Sequence, residues 1–102
     1  METRDPFLIR FSQDSVSAQF RDGTTVEDLA AALKAGEVEP GAVEPIRICL
    51  REGNWYTLDN RRLLAFRLAG VDVPVVPATP TETEAQRWKF TTTCEGLKVR
   101  IR

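Results

Sequence analysis

Asp59, Asn60, Arg61 and Arg62 put a carboxylate, an amide and two guanidinium groups into four consecutive positions. A planar guanidinium fork matches the oxygens of a phosphate, so Arg61 and Arg62 are candidate anion-binding groups. Asp59 has two readings. It stands just before the apolar run Leu63, Leu64, Phe66 and Leu68, where an aspartate can cap a helix by accepting from its free backbone N–H groups. It can instead orient a water molecule or hold a divalent cation such as Mg2+ through oxygen, and with Arg62 it then forms the candidate catalytic pair. Exposed N–H groups at a helix start, together with Asn60, Arg61 and Arg62, would make a phosphate site. The plain structural reading is two solvated arginines beside a capped helix. A second polar stretch, Ser12 to Ser17, reads as a loop or ligand rim in which Ser12, Gln13 and Ser15 are candidates for contact with a base or ribose. Asp14 adds a second carboxylate there.

Composition limits the chemistry. The 102 residues contain no histidine, which excludes a histidine–metal nuclease site, a histidine general base and any Ser–His or Cys–His nucleophile. No spacing marks a metal-ligand set. A net charge of −1 gives no overall attraction to nucleic acid, so such binding must come from local clustering of the 14 basic residues. Cys49 and Cys94 do not make a disulfide framework. No apolar run is long enough to span a membrane, no leader segment is visible, and the expected location is cytoplasmic.

The elements that position these residues can be read in order. After a polar tail over residues 1–6, Phe7 to Phe11 reads as a first strand. Thr24 and Glu27 have the spacing of a capping box for a helix ending at Gly36. Residues 37–45, with two prolines and a glycine, are a connector. Ile46 to Leu50 alternates enough to leave Arg47 outside, and Arg51-Glu52-Gly53-Asn54 turns the chain back into Trp55-Tyr56-Thr57 as a hairpin. The helix from Leu63 closes at Gly70. Val71 to Val76 is a strand whose proline suggests an edge or a bulge. Thr81 to Trp88 reads as a short helix with acidic residues near its start. Leu97 to Arg102 alternates apolar and basic, which on a strand sends Leu97, Val99 and Ile101 inward and Lys98, Arg100 and Arg102 outward. Trp55 and Trp88 suit the core better than a stacking platform. The result is one domain of α/β or α+β class, with short helices on a small mixed sheet.

This order of a strand, a glycine turn, an aromatic strand, an Arg-Arg box, a helix, a glycine and Val-Pro-Val resembles the ParB/sulfiredoxin superfamily. Pro45-Ile46-Arg47-Ile48, Tyr56-Thr57-Leu58, Asp59-Asn60-Arg61-Arg62, Leu63 to Gly70 and Val73-Pro74-Val75 carry the likeness over residues 7–77. Leu58 to Leu63 and Lys89 to Arg102 are similar to ParB-like domains of polymorphic toxins. The resemblance implies a phosphate site at the box, with Arg62 as its clamp. The glycine usual in the box is replaced by Asp59, and the sulfiredoxin cysteine falls on Asn60, so reduction of a sulfinic acid is excluded for want of a thiolate.

Three functions follow as expectations. The first is a small toxin-type nuclease acting on nucleic acid, delivered by a secretion system and matched by an immunity protein. The second is a nucleotide- or DNA-binding module without turnover. The third is a structural or partner-binding domain whose basic strand face is simply solvated. None of the three calls for a membrane.

Overall fold

A hairpin sets the frame. Ile46–Arg51 (β4) and Asn54–Thr57 (β5) pair antiparallel, with Arg51 opposite Asn54. Glu52 and Gly53 between them take φ of 52° and 82°, the two left-handed positions of a tight hairpin turn whose twist matches the strands. That turn fixes the register, which places Ile48 opposite Thr57 and brings Arg47 beside the chain as it leaves β5. The computed structural model describes residues 2–87, 90–92 and 96–102. Trp88, Lys89 and Cys94, and with them the end of the expected third helix, lie outside the described residues.

The remaining elements are Thr3–Arg4 (β1), Arg10–Phe11 (β2), Ser15–Val16 (β3), Val26–Ala35 (α1), Asn60–Ala69 (α2), Val73–Pro77 (β6), Pro80–Ala85 (α3) and Arg100–Ile101 (β7). The main sheet is mixed, in the order β1-β6-β4-β5-β2, and β3 and β7 form a second, parallel pair. This is the α/β class with a small mixed sheet that the interleaved pattern predicts. Ile9, Phe11, Ile46, Ile48, Val73 and Val75 from the sheet side meet Leu33 of α1 and Leu63 and Phe66 of α2 in one buried cluster. Val26 and Ala30 of α1 pack on Ala65 of α2 in a second. Burying a large aliphatic or aromatic side chain contributes about 1.5–3 kcal/mol. These clusters therefore hold the start of α2 against the sheet. Among the described residues no helix is long and apolar enough to cross a membrane.

Several sequence expectations shift. Thr3–Arg4 is not a free tail: it pairs with β6, and the Arg4 guanidinium lies 4.6 Å from the centre of the Trp55 ring. The first strand is shorter than predicted, because Asp5 caps a 3₁₀ turn over Pro6–Leu8 and leaves Phe7 and Leu8 exposed. Thr25 and Asp28 close the capping box of α1, not Thr24 and Glu27. Thr24 is already engaged, since its N–H and hydroxyl both donate to Asp22. The proline-bearing strand β6 lies inside the sheet, not at its edge, though its neighbour β1 is only two residues long. At the C-terminus only Arg100–Ile101 is a strand, and it joins β3 instead of the main sheet. Leu97 is accordingly 57% exposed and Ile101 38%, and only Val99 packs against the core.

Two side-chain contacts bring the outer segments in. Arg67, in the last turn of α2, donates to the carbonyls of Pro6, Ile9 and Leu97, with its guanidinium 4.4 Å from the centre of the Phe11 ring. Gly96 sits so close to β2 that a Cβ there would meet the Phe11 carbonyl oxygen at 2.2 Å. Gly96→Ala should therefore destabilise by about 3 kcal/mol or more, combining left-handed strain with overpacking. Gly53→Ala, with φ also positive but open space around it, should cost only about 1–2 kcal/mol. Urea unfolding of the two variants measures the difference, and equal losses would remove the close approach as an explanation.

Candidate functional site

The Asp59 side chain is 8% exposed and does not cap α2. Its Oδ2 accepts from the Arg47 backbone N–H at 2.7 Å and from Arg47 Nε at 3.2 Å. Its Oδ1 accepts from the second guanidinium nitrogen of each of Arg47 and Arg62, both at 2.8 Å. The expected cap is thus replaced by a two-arginine clamp. The cause is the hairpin register, which carries Arg47 alongside Asp59 just where α2 begins. Thr57 secures the corner: its hydroxyl donates to the Arg47 carbonyl and accepts from the Asp59 N–H.

The two arginines reach further. Arg47 also contacts Glu82 of α3 at 3.4 Å. Arg62 donates to the carbonyls of Glu44 at 2.8 Å and Pro45 at 3.2 Å. Both of its terminal nitrogens are therefore engaged by the protein, and its role as a phosphate clamp would require it to change partners.

Asn60 is buried, and its amide is committed to the protein. Its Oδ1 accepts from the Ser12 N–H at 2.8 Å, and its Nδ2 donates to the Ser12 hydroxyl at 2.9 Å. Ser12 is itself fully buried and cannot touch a ligand. Ser15 lies in β3, opposite Arg100. Of the three predicted contact residues Ser12, Gln13 and Ser15, only Gln13 lines the cleft described next, joined there by Val16 and Ser17 of the same stretch. Asp14 uses its carbonyl to pair with the Arg100 N–H and is not among the lining residues.

That cleft has a volume of about 760 Å³ and opens beside the start of α2. Among the described residues Arg21, Arg61, Arg62 and Arg102 line it, against the single carboxylate of Asp59. Arg61 is fixed by one bond to the Gln19 carbonyl at 2.6 Å and lies 5.5 Å from the centre of the Phe20 ring. Among the described residues neither Arg21, Arg61 nor Arg102 has a carboxylate partner. A second cleft of about 780 Å³ adjoins the first and shares Phe20, Arg21, Asp59, Arg61, Arg62 and Gln86 with it. Asp22, Glu44 and Glu82 make this second lobe more acidic. Gln86 Oε1 is buried without a hydrogen-bond donor among the described residues.

Arg21, Arg102, Phe20 and Gln86 were not legible as site residues. They come from three separate segments, Phe20-Arg21, Gln86 and Arg102, and no local spacing unites them. Arg47 had a signal: a two-residue hairpin turn, followed back along both strands, sets it near Asp59. Among the described residues no three His, Cys, Asp or Glu side chains converge to hold a metal ion.

Burial, the largest single influence on Asp59, pushes its pKa up. Hydrogen bonds from the Arg47 side chain and backbone and the charges of Arg62 and Arg47 outweigh it, and the pKa lies below the usual carboxylate value. The same contacts raise the pKa of Arg47. Because the folded pKa of Asp59 is depressed, its stabilisation is present above the unfolded value of about 4 and is lost as pH falls through the folded value. Asp59→Asn should therefore lose about 2–3 kcal/mol at pH 7, somewhat less than a fully buried pair, because both arginines keep some contact with water. Denaturant curves from pH 7 downward should show the gap between variant and parent narrowing below about pH 4. A gap independent of pH would mean that packing, not charge, gives Asp59 its weight.

No family model matches this chain, and neither the curated proteins nor the solved structures give a match, so the reading of the site rests on its own geometry.

Proposed function

We propose that this chain is a binding module for a phosphate-bearing ligand, a nucleotide or a nucleic acid end, held in the cleft beside the start of α2. One observation carries the reading: among the described residues, four guanidinium groups converge on a cleft whose single carboxylate, Asp59, is already neutralised by two arginines. The field that reaches a ligand is therefore that of Arg21, Arg61 and Arg102. Phe20 beside Arg61 offers a ring face, and Gln13, Ser17 and Gln86 offer hydrogen bonds. The resemblance of the box to the ParB/sulfiredoxin pattern supports the same ligand class.

Hydrolysis of a phosphodiester is the second reading, and the resemblance to toxin-type domains favours it. It asks more of the site. A water-activating carboxylate works best with a pKa raised toward the working pH, whereas that of Asp59 is lowered. Binding a cation through Asp59 would require both arginines to withdraw.

Titration calorimetry with inorganic phosphate, mononucleotides and short DNA and RNA strands, with and without Mg2+, tests this reading. Arg61→Ala should weaken binding roughly tenfold, the lower range for a charge-assisted hydrogen bond, with an unchanged unfolding midpoint. Arg62→Ala should instead lower the midpoint, since it leaves Asp59 with one arginine. Product formation from any of these substrates, abolished in Arg62→Ala at unchanged stability, would replace the binding reading with the hydrolase.

A further inference from the structure

α3 is a wall of both lobes of the cleft, yet little holds it there. It has no buried residue. Its first turn is closed internally: Glu82 Oε1 accepts from the Thr79 N–H at 2.9 Å, and the Thr79 hydroxyl accepts from the Glu82 N–H at 3.1 Å. The Ala78 N–H, donating to the Ile48 carbonyl at 2.8 Å, fixes where the chain leaves the sheet. Past that point, the polar tie between an α3 side chain and the body, among the described residues, is Glu82 Oε2 to Arg47 at 3.4 Å. Glu82 thus caps its own helix with one oxygen and anchors it with the other. A continuous ionic line runs from α3 through Glu82, Arg47, Asp59 and Arg62 to the start of α2.

We infer that Glu82 and Arg47 are positioning residues for the cleft: their ion pair holds α3, and with it Gln86, against the lobes, so that a carboxylate at the rim strengthens the binding of an anion. The inference rests on the reading of the cleft as an anion site. Its sign is what makes it specific. A carboxylate near a bound anion repels it, and removing that charge should tighten binding if charge alone mattered. If Glu82 acts by position, removing it weakens binding instead. Gln86 is the residue at stake, because it lines both lobes and moves with α3.

Glu82→Gln separates the two effects. Glutamine can still close the capping box, so α3 keeps its first turn while the ion pair to Arg47 is lost. Glu84→Gln is the control: it removes the same charge from the same helix, but among the described residues the Glu84 carboxylate pairs only with Arg87, three residues on. The measurements are the affinity for inorganic phosphate and for a nucleoside monophosphate, and the 15N order parameters of backbone amides 82–86. In Glu82→Gln the affinity should fall by about two- to fivefold, the modest effect of an exposed ion pair, and the order parameters should fall with it. In Glu84→Gln the order parameters should stay unchanged and the affinity should hold or rise slightly. Unchanged or tighter binding in Glu82→Gln overturns the inference. If the parent protein binds neither phosphate probe, the proposed function fails and the order parameters decide alone: a fall confined to Glu82→Gln upholds the anchoring of α3, and equal values in all three proteins overturn it.

Discussion

The Asp59 carboxylate, gripped by Arg47 and Arg62, is the interaction on which the rest of the site depends. It joins three parts of the chain at one point: the outer side of β4, the first turn of α2 and, through Glu82, the short helix α3. A half-buried ion pair is a weak source of net stability, because desolvation offsets much of the attraction. It is a strong constraint on geometry, because withdrawing the arginines leaves the buried Asp59 carboxylate without a counter-charge. The hydrogen bonds around it have the same character. The Arg47 N–H, the Thr57 hydroxyl and the Asp59 N–H are all paired within the corner, which leaves the corner little freedom to shift relative to the sheet.

The same constraint sorts the arginines. Two positive charges in the first turn of α2 oppose the helix dipole, and an uncompensated pair there would cost stability. Asp59 compensates Arg62 directly. Arg61 points the other way, to the Gln19 carbonyl and the Phe20 ring, where it is supported by a dipole and a ring face and keeps its full charge. Adjacent, chemically identical side chains thus have different duties. Arg62 is structural because the carboxylates of Asp59 and Glu44 and two carbonyls surround it, and Arg61 is available because, among the described residues, its one hydrogen-bond partner is a carbonyl.

The elements that rely on short-range chemistry were legible in the sequence. The hairpin followed from Glu52-Gly53 between two apolar runs, and α2 followed from its crowded apolar face and its closing glycine. α1 was legible to within one residue, and the miss has a cause: Asp22 engages Thr24 and passes the cap to Thr25. What the sequence did not show depends on tertiary contact. Ser12 and Asn60 look like a ligand rim and a phosphate box in a polar stretch, yet they satisfy each other in the interior across 48 positions of chain. The alternating C-terminus reads as a core strand, but its partner is β3 at the rim, so its apolar side meets little of the core. Local pattern gives a strand's two faces; it does not say which sheet the strand joins.

That last displacement bears on function. Had β7 joined the main sheet as its alternation suggests, Arg102 would face solvent on the far side of a strand. Paired with β3, with the Arg102 N–H donating to the Val16 carbonyl at 2.8 Å, it ends at the cleft opposite Arg61. The positive field of the cleft is therefore not a property of the Arg-Arg box alone. It is assembled from a loop, a helix start and a C-terminal strand, with the segment before and through the loop tied to Arg61 by the Gln19 carbonyl and to Arg102 by the Val16 carbonyl. Separate segments that converge like charges on one cavity accept mutual repulsion to do so. Such repulsion is relieved when an anion enters, and for this reason the convergence, more than the box itself, carries the case for a phosphate ligand.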